Sequence, residues 1–458
     1  MTKFHLLAAT ALSMIAGSMP AFAQTTDPTA VPVTPTAAGA VQPDAAQTID
    51  DDWGNEIIVT ANRRAEPIQD VPVAVTAVNA QLLDDAGVRD IRGLEQLAPS
   101  LQTTTGQSSA TATSLSIRGV GTAGDNPGFE PAVGVFIDGV FRSRAGIAIA
   151  ELPEVERVEV LRGPQGTLFG RNTSAGALSV TTALPKFDLG GYVEGEYGNF
   201  NAYELKGALT GPVTDQLALR VDGGYRKRDG YIEDVNSDRA FNDINRWYVR
   251  GQALYDSSAF SFRLIGDYYK TDEQCCGVVS GTRGPTAAAI QTIATQQGRT
   301  GIYTGPPSDR RMAASPGRDY LEAVRDWGVS GEMNADIGDF KLTSISAYRD
   351  FRVLRNQDID YSGIDRAYRE GYKSSLRDIT QELRLQGQLF DGKLDFLVGG
   401  FYLNEKLKLR DTVRLGNDAN RYVDTLLAGV LGAPPAAGAS AGPRSFTAVS
   451  TCRPLRSW

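Results

Sequence analysis

The stretch Glu154 to Thr182, EVERVEVLRGPQGTLFGRNTSAGALSVTT, decides the fold of this chain. Its first eight residues alternate charged and aliphatic side chains, and the valines favour a strand. Four residues that allow sharp turns follow: Gly163, Pro164, Gly166 and Gly170. The stretch therefore predicts a strand, a compact run of turns and a second strand.

The composition of the 458-residue chain argues against a nucleic-acid partner. The formal net charge is −8 and the sequence pI is about 5.0, so phosphate binding gains nothing from the overall charge. No internal run approaches the roughly 18 apolar residues of a membrane helix. Membrane strands are not excluded, because their alternation is a weak signal.

The N-terminus has the three parts of a secretory signal peptide. Lys3 provides a basic start, Leu6 to Gly17 an apolar core, and Ala21 to Ala23 a small-residue cleavage site. A short buried helix is the alternative. We expect residues 1–23 to be the signal peptide and the chain to be exported.

Histidine is nearly absent, which argues against most enzyme classes. His5 is the single histidine and lies in the predicted signal peptide. The mature chain would lack the central side chain of Ser-His-Asp hydrolysis and of histidine zinc sites. We expect neither catalysis, nor a metal site, nor a cofactor.

Two of the three cysteines, Cys275 and Cys276, are adjacent in sequence. This spacing does not fit the metal clamp of a zinc site. In an oxidising compartment the pair favours a disulfide that stiffens a loop. A redox role and two reduced thiols remain open.

A flexible leader precedes an isolated strand. Residues 24–55 are rich in Ala, Pro and Thr and cannot bury enough apolar surface to fold. The strand that follows is short and β-branched, and it could pair with a sheet edge of another protein. Its residues are Glu56, Ile57, Ile58, Val59, Thr60 and Ala61. Alternatively, it is the first strand of the next domain.

Residues 66–185 have the pattern of a mixed α/β domain. Short helices are predicted over 80–86 and 91–97. Asp138-Gly139 after VGVFI is a hairpin signal. Strands are predicted over 71–78, 114–118 and 132–137.

Residues 190–428 alternate polar and apolar side chains in long runs. Nine strands are predicted, with short links on one side and the long polar segment 271–325 on the other, as in an outer-membrane barrel. A periplasmic β-sandwich is the alternative. The strands lie near 191–197, 203–210, 216–227, 246–255, 259–270, 326–336, 339–350, 378–389 and 393–405.

Several of these motifs together resemble the TonB-dependent outer-membrane receptors, particularly those for siderophores. They occur in order as EIIVTANRR, SIRGVG, VGVFIDGV, LRGPQGTLFGRNTSAG and QELRLQG. The resemblance implies a mixed α/β plug domain followed by antiparallel transmembrane strands of a 22-stranded type of barrel. It also implies that residues 56–61 are the TonB box, which an inner-membrane TonB-type protein engages.

The resemblance further implies a latch between plug and barrel. Arg118 and Arg162 would be the plug arginines, and Glu382 and Glu405 their barrel partners. Buried arginine–carboxylate pairs fix geometry more surely than they add stability. The alternative is four solvated charges.

The chain also departs from the family pattern. Nine strands would leave the barrel incomplete, and exposed sheet edges are costly in lipid. Residues 429–458 show no alternation and are predicted to be an irregular, out-of-frame tail. We therefore expect a receptor truncated at its C-terminus that does not transport as it stands.

Three function classes follow from the sequence. The first is TonB-energised uptake across the outer membrane, with lipid around the barrel and a ferric siderophore or other iron chelate as ligand; cobalamin, sugars and aromatic acids stay open. The second is a passive porin or adhesin, which needs no TonB box. The third is an outer-membrane enzyme, which the lack of histidine disfavours.

Overall fold

The structure, a computed structural model, describes residues 2–4, 57–122, 126, 128–148, 153–431, 445–451 and 455–457. Most of the predicted signal peptide, the predicted tether and Glu56 therefore lie outside the described residues. The described part contains an N-terminal domain (residues 57–182) and a large antiparallel sheet. Among the described residues, no helix is both long and apolar enough to cross a membrane.

The N-terminal domain is built on a five-stranded mixed sheet with the order β4-β10-β11-β8-β9. Its apolar side chains meet those of the short helices in one core. The elements, in chain order, are β1 (Thr2–Phe4), β2 (Ile58–Val59), β3 (Glu66–Pro67), β4 (Val75–Asn79), α1 (Ala80–Asp85), a 3-10 helix (Ile91–Gln96), β5 (Leu101–Thr105), β6 (Thr113–Ile117), β7 (Val120–Gly121), β8 (Val133–Ile137), β9 (Val140–Arg142), α2 (Ala145–Ala148), β10 (Val155–Arg162), α3 (Gly166–Phe169) and β11 (Gly176–Thr182).

The opening stretch folds as predicted. Strand β10 pairs with β4 on one side and β11 on the other. Its valines pack in the core with the short helices, and Leu161 packs in a second apolar cluster. The turns between β10 and β11 contain α3, and Gly163 and Gly170 adopt φ values of 88° and 78°. A side chain with a Cβ resists these backbone angles, and glycine does not.

The hairpin predicted at Asp138-Gly139 is confirmed. It joins β8 to β9, and both turn residues have positive φ, 49° and 75°. Two positive φ values define the type I′ turn that fits the twist of a two-residue hairpin. The turn therefore projects the Asp138 side chain beyond the end of the sheet.

The large sheet contains a strand at each of the nine predicted positions, so the predicted fold class is confirmed. The sheet has the order β1-β12-β13-β14-β17-β18-β20-β21-β22-β23-β24, with β25 also pairing with β23. Its elements and the loops between them are β12 (Gly190–Gly198), β13 (Ala202–Thr214), β14 (Leu217–Arg228), β15 (Ile232–Asp234), β16 (Ala240–Phe241), β17 (Ile244–Asp256), β18 (Phe260–Gln274), α4 (Ala287–Gln296), a 3-10 helix (Pro307–Asp309), β19 (Arg311–Met312), β20 (Leu321–Ile337), β21 (Phe340–Asp358), β22 (Ala367–Leu389), β23 (Leu394–Leu415), α5 (Ala419–Leu431), β24 (Ser445–Thr451) and β25 (Leu455–Ser457).

The large sheet exposes apolar side chains and buries polar ones, which is the reverse of a sheet in a soluble protein. On β14, Leu219 and Val221 are 43% and 54% exposed, whereas Arg220 between them is 3% exposed. The same alternation places Arg250 and Arg263 on the buried face. That face carries ion pairs to the N-terminal domain, and the opposite face presents apolar side chains.

The long connections and the tail are more ordered than the sequence predicts. The segment 271–325 contains α4, which contacts α5, and β19, which pairs with β15. The tail 429–458 was predicted to be irregular, but β24 and β25 lie in it and pair with β23. Backbone pairing needs no side-chain alternation, which is why the sequence pattern misses these strands.

Candidate functional site

The candidate functional site is the junction where segment 57–61 meets the N-terminal domain and the large sheet. Ile57 and Ile58 are exposed, whereas Val59 and Ala61 are completely buried. Val59 and Ala61 pack in a second apolar cluster that includes Phe169 and, from the large sheet, Leu403. One side of the segment is therefore fixed by packing, and its start is accessible.

Glu159 holds the middle of this segment. It lies on the central strand β10 and is completely buried. The backbone N–H of Thr60 donates to both carboxylate oxygens of Glu159, at 2.9 and 3.0 Å, and the Thr60 hydroxyl donates to Oε1 at 3.0 Å. Arg157 donates to the same Oε1 at 2.9 Å. Because a buried carboxylate needs such donors, Glu159 and Thr60 stabilise each other.

Arg63 holds the end of the segment against the large sheet. Its guanidinium lies over the rings of Phe169 and Phe136, with distances of 4.0 and 5.1 Å to the ring centroids. Its Nε donates to the carbonyl of Leu168 at 3.1 Å, and its Nη2 lies 3.6 Å from Oε2 of Glu382 on β22. Burial lowers the pKa of Arg63 to about 10, because desolvation disfavours the charged form.

Two further arginines complete this contact. Arg384 lies 3.2 Å from the other oxygen of Glu382 and donates to the backbone carbonyl of Arg63 at 3.4 Å. Arg64 binds Asp395 at 2.5 Å and the carbonyl of Phe396 at 2.9 Å. The start of the N-terminal domain is thus tied to both β22 and β23.

Asp138 forms a second polar contact between the domain and the sheet. Its carboxylate accepts hydrogen bonds from Arg250, from Arg263 at 3.2 Å, and from the backbone N–H of Thr182 at 3.0 Å. Burial alone would raise the pKa of Asp138, but the charges of Arg250 and Arg263 outweigh it and hold the pKa well below its usual range. At neutral pH this carboxylate is therefore ionised in the docked domain.

Elsewhere in the interface, carboxylates of the large sheet accept hydrogen bonds from the N-terminal domain. Glu322 accepts hydrogen bonds from the hydroxyl groups of Ser108 and Ser109. Glu405 accepts from Arg144, with its Oε1 3.0 Å from Nη2. The domain is therefore bound to the sheet by charged groups along its whole length.

Comparison with known proteins identifies the chain. Residues 67–177 match the family described as the TonB-dependent receptor plug domain. The chain is 33% identical to the pesticin receptor of Yersinia pestis over 172 residues. This aligned region covers 38% of this chain and 25% of that receptor. Residues 67–177 thus match a TonB-dependent receptor plug domain, and the chain is similar to TonB-dependent receptors.

Other members of the TonB-dependent receptor family agree with this assignment. The ferrioxamine B receptor of Salmonella typhimurium is 25% identical over 212 residues, which cover 44% of this chain and 29% of that receptor. The crystal structure of the ferric yersiniabactin uptake receptor from Yersinia pestis superposes with a TM-score of 0.61 at 21% identity, covering 75% of this chain and 52% of that receptor. The chain thus spans less than a third of these curated relatives and about half of the solved receptor.

In family terms, the N-terminal domain is the plug and the large sheet belongs to the barrel. Of the predicted TonB box, Glu56 lies outside the described residues, and Ile57 to Ala61 are docked against the plug. Residues Ile58 and Val59 pair only with β3 among the described strands. In this docked position the segment forms the first strand of the N-terminal domain, which was the alternative prediction.

The predicted latch is wrong in its arginines. Arg118 is exposed, and no ion pair to it occurs within the described residues. The Arg162 side chain points back into the plug, where it donates to the carbonyls of Ala74 and Val75 at 3.3 and 3.5 Å. Glu382 and Glu405 do contact the plug, but through Arg63 and Arg144.

The structure joins Cys275 and Cys276 in a disulfide next to the end of β18. The carboxylate of Glu322 lies close to both sulfur atoms. Because disulfide sulfurs carry no thiolate, they are not available as metal ligands. The pair therefore lies beside the contact between Glu322 and the plug.

Sequence reasoning missed several residues of the site, among them Glu159, Arg63 and Asp138. The sequence does hold a signal for Glu159, because a carboxylate between valines of a strand buried on both faces needs a partner. Asp138 was recognised only as a turn residue. The partner of Arg63 lies on a distant strand, and no local pattern identifies it.

Proposed function

We propose that this chain is an outer-membrane receptor for TonB-energised active uptake of a scarce ligand. The ligand class is a ferric siderophore or another iron chelate, and the energy comes from an inner-membrane TonB-type protein. Export through a cleaved signal peptide and a barrel surrounded by outer-membrane lipid belong to the same proposal. The chain acts by moving its ligand, without a chemical step of its own.

The observation that carries this proposal is the way segment 57–61 is held. Ile57 and Ile58 are accessible at its start, while Thr60 is bound by Glu159 in the plug and Arg63 by Glu382 in the barrel. A partner that pairs with the exposed start by strand addition would pull on both contacts at once. Force applied here therefore reaches the plug and its attachment to the barrel wall.

The polarity of the large sheet supports a place in the membrane. Apolar side chains such as Val221 and Leu264 are exposed on the face opposite the plug. Aromatic pairs, Trp247 with Tyr268 and Trp327 with Tyr348, lie on neighbouring strands. Exposed apolar side chains with aromatic residues are typical of the lipid-facing surface of a barrel.

The relatives support the ligand class. One curated relative is a receptor for ferrioxamine B, and the solved receptor described above takes up ferric yersiniabactin. An iron chelate is therefore our first choice for this chain.

A passive porin or adhesin is the second candidate. Its barrel would need no TonB box, and contacts of segment 57–61 with both plug and barrel would have no role in transport. The two candidates differ in their need for energy.

Uptake measurements separate them. We expect uptake of radioactive iron from a panel of ferric siderophores in cells that express this chain joined to the remaining barrel strands of a relative. The uptake should be lost on adding a protonophore or deleting residues 57–61. Deletion of 280–283, an exposed loop stretch remote from the plug junction, is a control for barrel assembly. Uptake that survives both the protonophore and the loss of 57–61 would instead support the passive pore.

A further inference from the structure

A cavity of about 310 Å³ lies between the plug and the barrel strands, next to the predicted TonB box. This volume is at the lower end of the range of about 300–1,000 Å³ typical of small-molecule sites. Two carboxylates line the cavity, Asp138 and Glu332. The cationic side chains that line it are more numerous: Arg63, Arg64, Arg157, Arg263, Arg384 and Lys341.

Carboxylates outside the cavity lining also pair with several of these cations: Glu159 with Arg157, Asp395 with Arg64, and Glu382 with Arg63 and Arg384. The carboxylate of Asp138 is already shared by Arg250 and Arg263. Glu332 accepts a hydrogen bond from Asn334 at 3.1 Å. Lys341 is exposed, and none of the residues that the structure describes forms an ion pair with it. The cavity lining is therefore mainly cationic, and Lys341 is the cation in it for which the described residues provide no ion pair.

Among the arginines of this cavity, Arg63 has the longest contact with its carboxylate partner. It is buried, and the carboxylate of Glu382 lies 3.6 Å away, beyond ordinary hydrogen-bond distance. The lowered pKa of Arg63 reflects its desolvation. An additional anion in the cavity would be attracted to Arg63 and would compete with Glu382 for it.

We propose that this cavity is a binding site for a small polycarboxylate or phosphate-bearing anion, and that the bound anion loosens the contact between Arg63 and Glu382. Anionic oxygens would bind between Lys341 and the arginines of the opposite wall. Loosening Arg63 would then release the end of segment 57–61. The second half of the proposal rests on the proposed function, because it treats this segment as the TonB box.

Titration of the full chain in detergent micelles with citrate and with inorganic phosphate tests the site. Replacing Lys341 by alanine removes a cation from the cavity wall, and Lys227→Ala removes an exposed strand lysine outside it. We expect Lys341→Ala to weaken binding about fivefold, which is what a unit charge about 4 Å away contributes in a water-like dielectric. Lys227→Ala should leave binding unchanged. The citrate and phosphate titrations distinguish the two anion classes.

A spin label tests the coupling. A nitroxide on Ile57→Cys, in a Cys452→Ser background, reports the mobility of the segment, and Cys275 and Cys276 do not react while they are joined. We expect citrate or phosphate to increase its mobility in this background, but not after Arg63→Gln, in which the contact is already lost.

Two results would overturn the site: no binding of either anion at concentrations up to about 10 mM, or equal weakening by the Lys227 and Lys341 variants. Binding without a change in nitroxide mobility would overturn the coupling. Failure of the site leaves the proposed function intact, because energy-dependent uptake is measured separately and does not require an anion in this cavity.

Discussion

The backbone N–H and the hydroxyl group of Thr60 both donate hydrogen bonds to the buried carboxylate of Glu159, at distances of 2.9 to 3.0 Å. The N–H of Thr60 is a backbone donor that a strand added along this segment could use. Glu159 and a partner strand therefore compete for the same group. The plug holds the segment by a contact that strand addition has to replace.

Removing the negative charge of Glu159 should loosen segment 57–61. Hydrogen bonds to a charged acceptor contribute about 1.5–3 kcal/mol and neutral ones about 0.5–1.5, so Glu159→Gln should cost about 1 kcal/mol. We expect amide hydrogen exchange at Thr60 to become about fivefold faster. Glu156→Gln, at an exposed position on the same strand, is the matched control. Unchanged exchange in the Glu159 variant would show that its charge does not hold Thr60.

Arg63 and Glu382 should be energetically coupled across the plug–barrel boundary. Glu382→Gln leaves the buried Arg63 without its carboxylate partner, whereas Arg63→Gln leaves Glu382 with Arg384 alone, so the two changes should not be additive. We expect a coupling energy of about 1 kcal/mol in a double-mutant cycle. The fraction of mobile nitroxide at residue 57 measures the equilibrium. Additive single effects would mean that this contact does not hold the segment.

Asp138 should make plug docking sensitive to acid. Its pKa is depressed in the folded state, so its contribution is fully present above the unfolded pKa of about 4 and is lost as the pH falls toward the folded pKa. We expect Asp138→Asn to destabilise the docked plug by about 3 kcal/mol at pH 7. The difference from the unmodified chain should shrink at pH 3.

Denaturant unfolding at both pH values measures this effect. Asp85→Asn, an exposed carboxylate on α1, is the control and should have little effect at either pH. A difference that stays constant from pH 7 to pH 3 would argue against an ionised Asp138 in the docked plug.

The cysteines give a chemical prediction. With Cys275 and Cys276 joined, alkylation of the denatured chain without reductant should modify Cys452 alone. Prior reduction should expose all three cysteines. Mass spectrometry of the peptides reads the result. Alkylation of Cys275 and Cys276 without reductant would favour the two reduced thiols.

Much of the fold could be predicted from the sequence because its signals are local. The hairpin at Asp138-Gly139 depends on two residues that accept positive φ. The alternation of Leu219, Arg220 and Val221 identifies both the strand and its two faces. Strands β24 and β25 could not be predicted in this way, since they are defined by backbone pairing to β23.

The candidate site was less predictable because its contacts are distant in sequence. Glu382 was expected to face the plug, but its partner turned out to be Arg63 in place of Arg118 or Arg162. Residue type alone does not distinguish between arginines that could reach one carboxylate. The choice depends on how the plug is oriented against β22.

Binding of the C-terminal domain of a TonB protein to the full chain in detergent tests the central claim most directly. Ile58 lies in the exposed start of the segment and faces Pro67 in the β2–β3 pair. Proline at position 58 removes a backbone N–H and limits strand pairing, whereas alanine keeps that N–H. We predict that Ile58→Pro weakens binding at least about tenfold relative to Ile58→Ala, or about 1.4 kcal/mol. Equal binding by the two variants, or no binding by the unmodified chain, would contradict the claim that this segment is the TonB box.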